Sequence, residues 1–189
     1  MVSFTSLLTC VTAAALAFAS PLDERDAGTD LLIQDLLRLD RAINTITTAA
    51  NGYTGGQADY QPIRESFAEV NRTNRIAYYD AMTIAPQSIP DSDRIIAVVA
   101  DPIQPDITTA VNALIAKKAL IDAAGLSEET ADGLNLISSD HDTLSLVAVA
   151  PKLDPATIPA ATPPVLHIDL DWRRGVVAFG GLPLAPITM

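Results

Sequence analysis

Residues 29–50, TDLLIQDLLRLDRAINTITTAA, decide the fold class of this chain. Their apolar residues recur at alternating steps of three and four, a spacing that places them on one face of an α-helix. Thr29 or Asp30 is suited to cap the start of this helix, and Asn51-Gly52 and Gly55-Gly56 are suited to end it. The sequence therefore predicts an all-α protein, with a first helix whose inner face holds Leu32, Leu36, Leu39, Ile43, Ile46 and Ala50.

The same period continues in further segments, which turns rich in proline and glycine separate. A second helix is predicted to open near Pro62, and a short helix over 91–100 and a longer one over 106–124 follow it. Ser127 is suited to cap the next helix. The second helix has the stripe Ile63, Phe67, Val70, Ala77, Ala81 and Ile84, and the helix after Ser127 has the stripe Leu134, Ile137, Leu144 and Ala148.

The C-terminal segment has the same helical spacing. Thr162 is suited to cap it, Pro163 fits its first turn, and Gly180-Gly181 stops it. Asp169 and Arg173 are spaced to pair across one turn. A β-strand over 165–170 is the alternative. With short connections between neighbours, we expect an antiparallel bundle of about five main helices plus a short one, and the last stripe is Val165, Ile168, Trp172, Val176 and Phe179.

The N-terminus predicts secretion. An uncharged apolar run ends in small residues near position 19, and it is too short to span a membrane, so we interpret 1–19 as a signal peptide. A buried N-terminal helix is the alternative. We expect 20–28 to be an N-terminal extension, 29–181 the helical-bundle domain, and 182–189 an irregular tail. Because Cys10 is the only cysteine, the mature chain would fold without disulfides.

Charge and missing motifs exclude several function classes. The net charge of −11 repels phosphate backbones, so nucleic acid is an improbable partner. No second segment is apolar enough to cross a membrane. No G-x-S-x-G motif occurs, and His141 and His167 lack the spacing of a zinc motif, so we predict no catalytic residues, no metal and no cofactor.

Three polar positions leave alternatives open. Asn74 interrupts the stripe of the second helix, either as a hydrogen-bonded polar residue at a helix seam or as a ligand contact. His141 lies on an inner stripe, either as a satisfied buried histidine or as a pH-sensitive or ligand-contacting one. Asn71-Arg72-Thr73 is an N-glycosylation acceptor, provided that Asn71 is exposed.

The order of several short motifs resembles one protein family. Arg25-Asp26 precedes the first helix, and a central segment reads ALIAKK over 113–118 and AAGL over 123–126. The segments SDHDTL over 139–144 and IDLDW over 168–172 are similar to the later helices of that family. The chain thus resembles the fungal hydrophobic surface-binding protein A and cell-wall galactomannoprotein family. The residues 71–75, the prolines at 102 and 105, and the tail after Gly181 depart from the pattern.

The resemblance implies a secreted or wall-associated, non-catalytic helical bundle. Members are linked to adsorption on hydrophobic surfaces with recruitment of polyester-degrading enzymes, and others hold fatty acids between helices. The alternatives are a surface-active wall mannoprotein without a specific ligand and, less favoured, an uncharacterised enzyme. The candidate lipid-contacting residues are Leu36, Ile43, Phe67, Asn74, Ile168, Trp172, Val176 and Phe179.

Overall fold

A computed structural model describes residues 27–188, which contain helices and no strand. The all-α expectation is confirmed. The predicted signal peptide, Arg25-Asp26 and Cys10 lie outside the described residues. The helices are α1 (Ala27–Gly52), α2 (Gln61–Thr83), α3 (Ile89–Val98), α4 (Gln104–Ala116), α5 (Lys118–Ala123), α6 (Ser127–Asp142) and α7 (Ile158–Ala178).

The five long helices pack as a closed ring in the order α1, α2, α6, α7, α4. Helices α1 and α2 run antiparallel: the rings of Tyr53 and Tyr60 meet at 5.8 Å at their turn, and Asp35 near the start of α1 lies beside Asp80 near the end of α2. Helices α6 and α7 are likewise antiparallel, since Leu134 packs at Gly175 and His141, later in α6, lies beside Val165, earlier in α7. The α1–α2 hairpin agrees with the prediction from short connections, whereas the longer segment 143–157 joins α6 to α7.

The other three contacts in the ring are parallel, which short connections did not predict. In each of these three contacts, two salt bridges or hydrogen bonds join the helices. The residue numbers of the bonded partners increase together along both helices, so the two helices run parallel. Longer connections that cross the ends of the bundle allow this arrangement. The pairs are Asn44–Asp106 and Asn51–Lys117 between α1 and the α4 region, Arg64–Glu129 and Arg75–Asp140 between α2 and α6, and Thr108–Asp171 and Asn112–Arg174 between α4 and α7.

Three predicted helix caps are wrong. Helix α1 begins at Ala27, and Thr29 lies fully buried inside it, where its hydroxyl donates to the side-chain oxygen of Gln87. Leu126, not Ser127, occupies the N-cap position of α6, and the Ser127 hydroxyl donates to Asp122. Thr162 lies within α7. In each case the hydroxyl bonds elsewhere, because these side chains have several backbone and side-chain acceptors within reach.

Helix α7 starts at Ile158, earlier than predicted, and Pro163 and Pro164 lie inside it. The Thr162 hydroxyl donates to the carbonyl of Ile158 at 2.8 Å. The carbonyls that lose their donors to these prolines belong to the exposed residues Pro159 and Ala160, which water can reach. The strand alternative over 165–170 is therefore wrong. Asp169 and Arg173 were predicted to pair. Burial raises the pKa of Asp169 and the charge of Arg173 partly offsets this rise, but the Arg173 guanidinium donates its hydrogen bond to the carbonyl of Leu184.

The predicted helix over 106–124 is broken at Lys117. The backbone there has φ −97° and ψ 2°, and α5 starts at the next residue. The Lys117 ammonium donates to the carbonyls of Asn51 and Tyr53 at 3.1 and 2.9 Å. A tertiary contact to the end of α1 thus accompanies the break, which the periodicity of the segment did not reveal.

Two other stretches depart from α-helical geometry. In the 99–103 kink, between α3 and α4, Asp101 is extended (φ −158°, ψ 117°) and its peptide bond to Pro102 is cis. In the 143–149 π-segment, after α6, the backbone is π-helical. The tail after Gly181 has no regular element up to residue 188 and packs back on the bundle, where Ile187 is buried.

Candidate functional site

An apolar cavity lies between α1, the α3 region, the 143–149 π-segment and α7. Its wall combines residues more than a hundred positions apart in the sequence. The side chains of Leu36 and Ile168 face it from α1 and α7. Its free volume is about 40 Å³. The principal apolar lining residues are Leu36, Leu39, Ile95, Ile103, Leu144 and Ile168.

This cavity is small compared with occupied ligand sites. Small-molecule sites enclose roughly 300–1,000 Å³, and about 30 Å³ is one water molecule's share of liquid volume. The space of about 40 Å³ therefore holds no acyl chain without movement of its walls. Because the lining is apolar, the energetic driving force for filling the cavity favours an apolar group over water.

The 99–103 kink and the 143–149 π-segment both contribute lining residues, and both depart from regular α-helical geometry. Short π-helical turns inside α-helical regions are frequent at functional sites. A change of register in either stretch would move Ile103 or Leu144 relative to the cavity.

Two polar side chains, His141 and Ser145, interrupt the otherwise apolar lining of the cavity. The Ser145 Oγ lies 3.4 Å from Nδ1 of His141. His141 is 6% exposed, and its Nε2 is buried without a hydrogen-bond partner. Burial lowers the pKa of His141 to about 4, while a weak backbone hydrogen bond with Val165 acts in the opposite direction. The imidazole is therefore neutral at pH 7.

The residues predicted to contact lipid fall in three groups. Leu36 and Ile168 line the cavity. Asn74 is 2% exposed with its Oδ1 unpaired, and it borders a groove between α2 and α6 instead. The remaining five are buried in the core of the bundle outside the lining, namely Ile43, Phe67, Trp172, Val176 and Phe179.

The helical ring has counterparts among known proteins. Residues 29–150 match the model of a family described as hydrophobic surface binding protein A. The chain belongs to this family. Among curated proteins, no sequence matches this member of the family.

Several solved structures share the fold of this family member. The crystal structure of Afmp4p in complex with palmitic acid is 24% identical, with a TM-score of 0.76, and the match covers 80% of this chain and 99% of that one. Ligand binding domain 1 of the Penicillium marneffei MP1 protein, complexed with arachidonic acids, is 18% identical with a TM-score of 0.72, over 77% and 94% of the two chains. At these identities the likeness establishes the fold.

The acceptor for N-glycosylation lies inside α2 of this hydrophobic surface binding protein A member. Asn71 is 9% exposed, and its Oδ1 is buried without a partner. The Thr73 hydroxyl donates to the carbonyls of Glu69 and Val70 at 2.9 and 3.0 Å. A sugar on Asn71 would require this amide to turn outward, and glycosylation here stays a prediction.

Sequence reasoning noted His141 and missed Ser145 in this family member. The signal was present, because residues four apart lie on one helical face. This spacing is difficult to recognise because apolar residues surround Ser145 and because the backbone becomes π-helical after Asp142. In the described part of the chain, no group of three or more histidine, cysteine or acidic side chains is arranged to hold a metal ion. None of the helices within 27–188 is long and apolar enough to cross a membrane.

Proposed function

We propose that this chain is a secreted, non-catalytic protein that binds fatty acids or similar amphiphiles inside its helical bundle. The observation that carries the proposal is an apolar cavity with one adjacent pair of polar side chains, His141 and Ser145. Membership of the hydrophobic surface binding protein A family supports it. So does the fold shared with Afmp4p and MP1 domains, whose crystal structures hold palmitic and arachidonic acids.

Burial of an acyl chain supplies free energy that favours opening of the cavity. Each buried methylene gains about 0.8 kcal/mol, so a chain of about 16 carbons gains on the order of 10 kcal/mol. Moving the side chains of the 99–103 kink and the 143–149 π-segment costs part of this gain. The remainder is available as binding free energy after the entropy of association is subtracted.

Catalysis by His141 and Ser145 is the less favoured interpretation. An activated serine lies about 2.6–3.2 Å from its base, and a third group orients that base. Here the separation is 3.4 Å, and Nε2 of His141 has no partner. With a pKa of about 4, the imidazole is also a weak base. These features favour a binding role.

Adsorption to apolar surfaces is the second candidate function. The outer face of α7 and the tail expose Leu170 (58%), Val177 (59%) and Leu182 (89%). Exposed apolar side chains of this kind gain free energy at an apolar interface. The family description also names such binding. Recruitment of a polyester hydrolase, a cell-wall location and removal of 1–19 remain predictions within this proposal.

Binding inside the bundle is tested by titrating delipidated protein with palmitic acid, using native mass spectrometry and calorimetry. We expect saturable binding near one ligand per chain. Leu144→Phe should fill the cavity and weaken binding by at least about tenfold, which corresponds to 1.4 kcal/mol. Val147→Phe is the matched control, because Val147 lies in the same π-segment and is 53% exposed.

Either of two outcomes would contradict internal binding. One is folded wild-type protein that takes up no palmitic acid. The other is equal binding by the two phenylalanine variants. If wild-type protein instead coats apolar beads without stoichiometric ligand, adsorption through exposed residues such as Leu170 and Val177 becomes the better account.

A further inference from the structure

The imidazole of His141 contains an unused hydrogen-bonding atom in the wall of the cavity. Its Nε2 is buried without a hydrogen bond of normal geometry, whereas Nδ1 lies 3.4 Å from the Ser145 hydroxyl. A weak backbone hydrogen bond with Val165 only slightly offsets the effect of burial on the pKa of this imidazole. A buried polar atom without a partner costs about 1–3 kcal/mol. The fold therefore tolerates an unfavourable atom beside a space that is otherwise lined by apolar groups.

The Ser145 hydroxyl can donate to Nδ1 of His141 or accept from it, and the first arrangement leaves Nε2 as a donor. A neutral imidazole has one N–H and one acceptor nitrogen. When the Ser145 hydroxyl donates to Nδ1, the proton of the ring lies on Nε2. The atom without a partner is then a hydrogen-bond donor, and the group that satisfies it must present an acceptor oxygen.

We infer that His141 holds the carboxyl head of the bound amphiphile inside the bundle, with Ser145 fixing the imidazole. This inference rests on the proposed function and adds the position and chemistry of the head group. The other lining side chains are apolar and suit the acyl chain, so the ligand that matches this wall has one polar end.

Asn74 is the sequence-based alternative for the contact with the carboxyl group. It is also buried with an unpaired amide oxygen, but it lies on the α2 side and does not line the cavity. Its amide nitrogen is a donor, but the side chain borders the groove between α2 and α6 and lies outside the cavity lining. His141 fits the head group by position, because it lies in the wall of the cavity.

The experiment compares palmitic acid with methyl palmitate, which has the same chain and an uncharged head. We expect His141→Leu to weaken binding of the acid by about tenfold or more, because hydrogen bonds to an ionised group are the stronger class. Binding of the methyl ester should change by less than about threefold, equivalent to roughly 0.6 kcal/mol. His141→Gln, which keeps a donor, should lie between.

His167 provides a matched control within the same chain, since it is exposed on α7. His167→Gln should leave both affinities unchanged. In nitrogen-15 NMR spectra of the wild type, the resonances of the His141 ring nitrogens should shift when palmitic acid is added. Their chemical shifts should stay unchanged when hexadecane is added. The ring nitrogens of His167 should respond to neither ligand. Thermal melting shows that each variant compared is folded.

The outcomes separate this inference from the proposed function. Equal losses for acid and ester in His141→Leu would mean that the imidazole only shapes the cavity, and unchanged acid binding would place the carboxyl elsewhere. Either result overturns the head-group assignment and leaves lipid binding intact. Failure of folded wild-type protein to bind either ligand overturns the proposed function itself.

Discussion

At Gly133, α6 approaches α2 so closely that no side chain fits. A Cβ atom added there would lie 2.4 Å from Cδ2 of Phe67, a ring that is itself buried. We expect Gly133→Ala to lower the free energy of unfolding by about 1–3 kcal/mol. The helix-propensity gain of about 1 kcal/mol offsets only part of this loss. Urea denaturation measures the difference.

Gly52 provides the control for that substitution. It ends α1, and nothing lies within 4 Å of a Cβ added there. Gly52→Ala should change the unfolding free energy by less than about 0.5 kcal/mol, as surface substitutions usually do. Equal midpoints for both alanine variants would show that α2 and α6 have room to separate.

At the scale of the helices, α1 and α2 share the way in which their C-terminal carbonyl groups are hydrogen-bonded. Neither has a basic residue in its last turn. Lysines from distant parts of the chain bond their terminal carbonyls instead. Lys152 donates to Ile84 and Met82 at 2.6 and 3.3 Å, as Lys117 does at the end of α1. An ammonium at this end also interacts favourably with the helix dipole.

We expect Lys152→Met to destabilise the protein by about 1 kcal/mol, because α2 loses its terminal donor while the apolar stem is kept. Lys118→Met is the control. Lys118 forms an exposed ion pair with Asp122, and such pairs contribute about 0–1 kcal/mol. Thermal melting is compared at low and high salt. Salt screens the exposed Lys118–Asp122 pair first, so the effect of Lys118→Met should decrease at high salt more than that of Lys152→Met. A larger loss in Lys118→Met would contradict the capping role.

Across the whole molecule, two buried carboxyl groups, Asp40 and Asp169, each lie near a half-buried one on another element. Burial, followed by repulsion from Asp106, raises the pKa of Asp40 to about 6. Burial, followed by repulsion from Asp169, raises the pKa of Asp142 to about 6. Each group stabilises the fold when protonated, so its contribution is complete below about pH 4 and is lost as pH rises through 6. His141, with its lowered pKa, has the opposite dependence and gains stability between about pH 4 and 6.5.

Because these contributions oppose each other, a substitution isolates one of them better than the pH profile of the wild type. Asp40→Asn keeps the shape of the side chain and removes its ionisation. We expect this variant to match the wild type near pH 4 and to be more stable by roughly 1–2 kcal/mol at pH 7. Urea midpoints at both pH values test this difference.

The exposed Asp132 supplies a control for net charge, since Asp132→Asn removes the same formal charge from the surface. It should show less than about 0.5 kcal/mol of change at either pH. If Asp40→Asn were less stable than the wild type at pH 7, the carboxylate of Asp40 would have a stabilising partner that burial and Asp106 do not suggest.

The sequence by itself determined the helices and their inner faces. The stripe from Leu32 to Ala50 is fully or almost fully buried, as its spacing predicted. The stripe from Ile168 to Phe179 is buried as well. This was predictable because the face of a helix depends only on residues three and four apart, which any single sequence displays.

Only the tertiary structure decided which helices are neighbours and where a cavity remains. The parallel contacts in the ring, the break at Lys117 and the burial of Thr29 each depend on groups more than fifty positions away. The cavity beside His141 joins α1, α3, the 143–149 π-segment and α7 in the same way. Free volume is what remains after all side chains have packed, so no local pattern in the sequence specifies it.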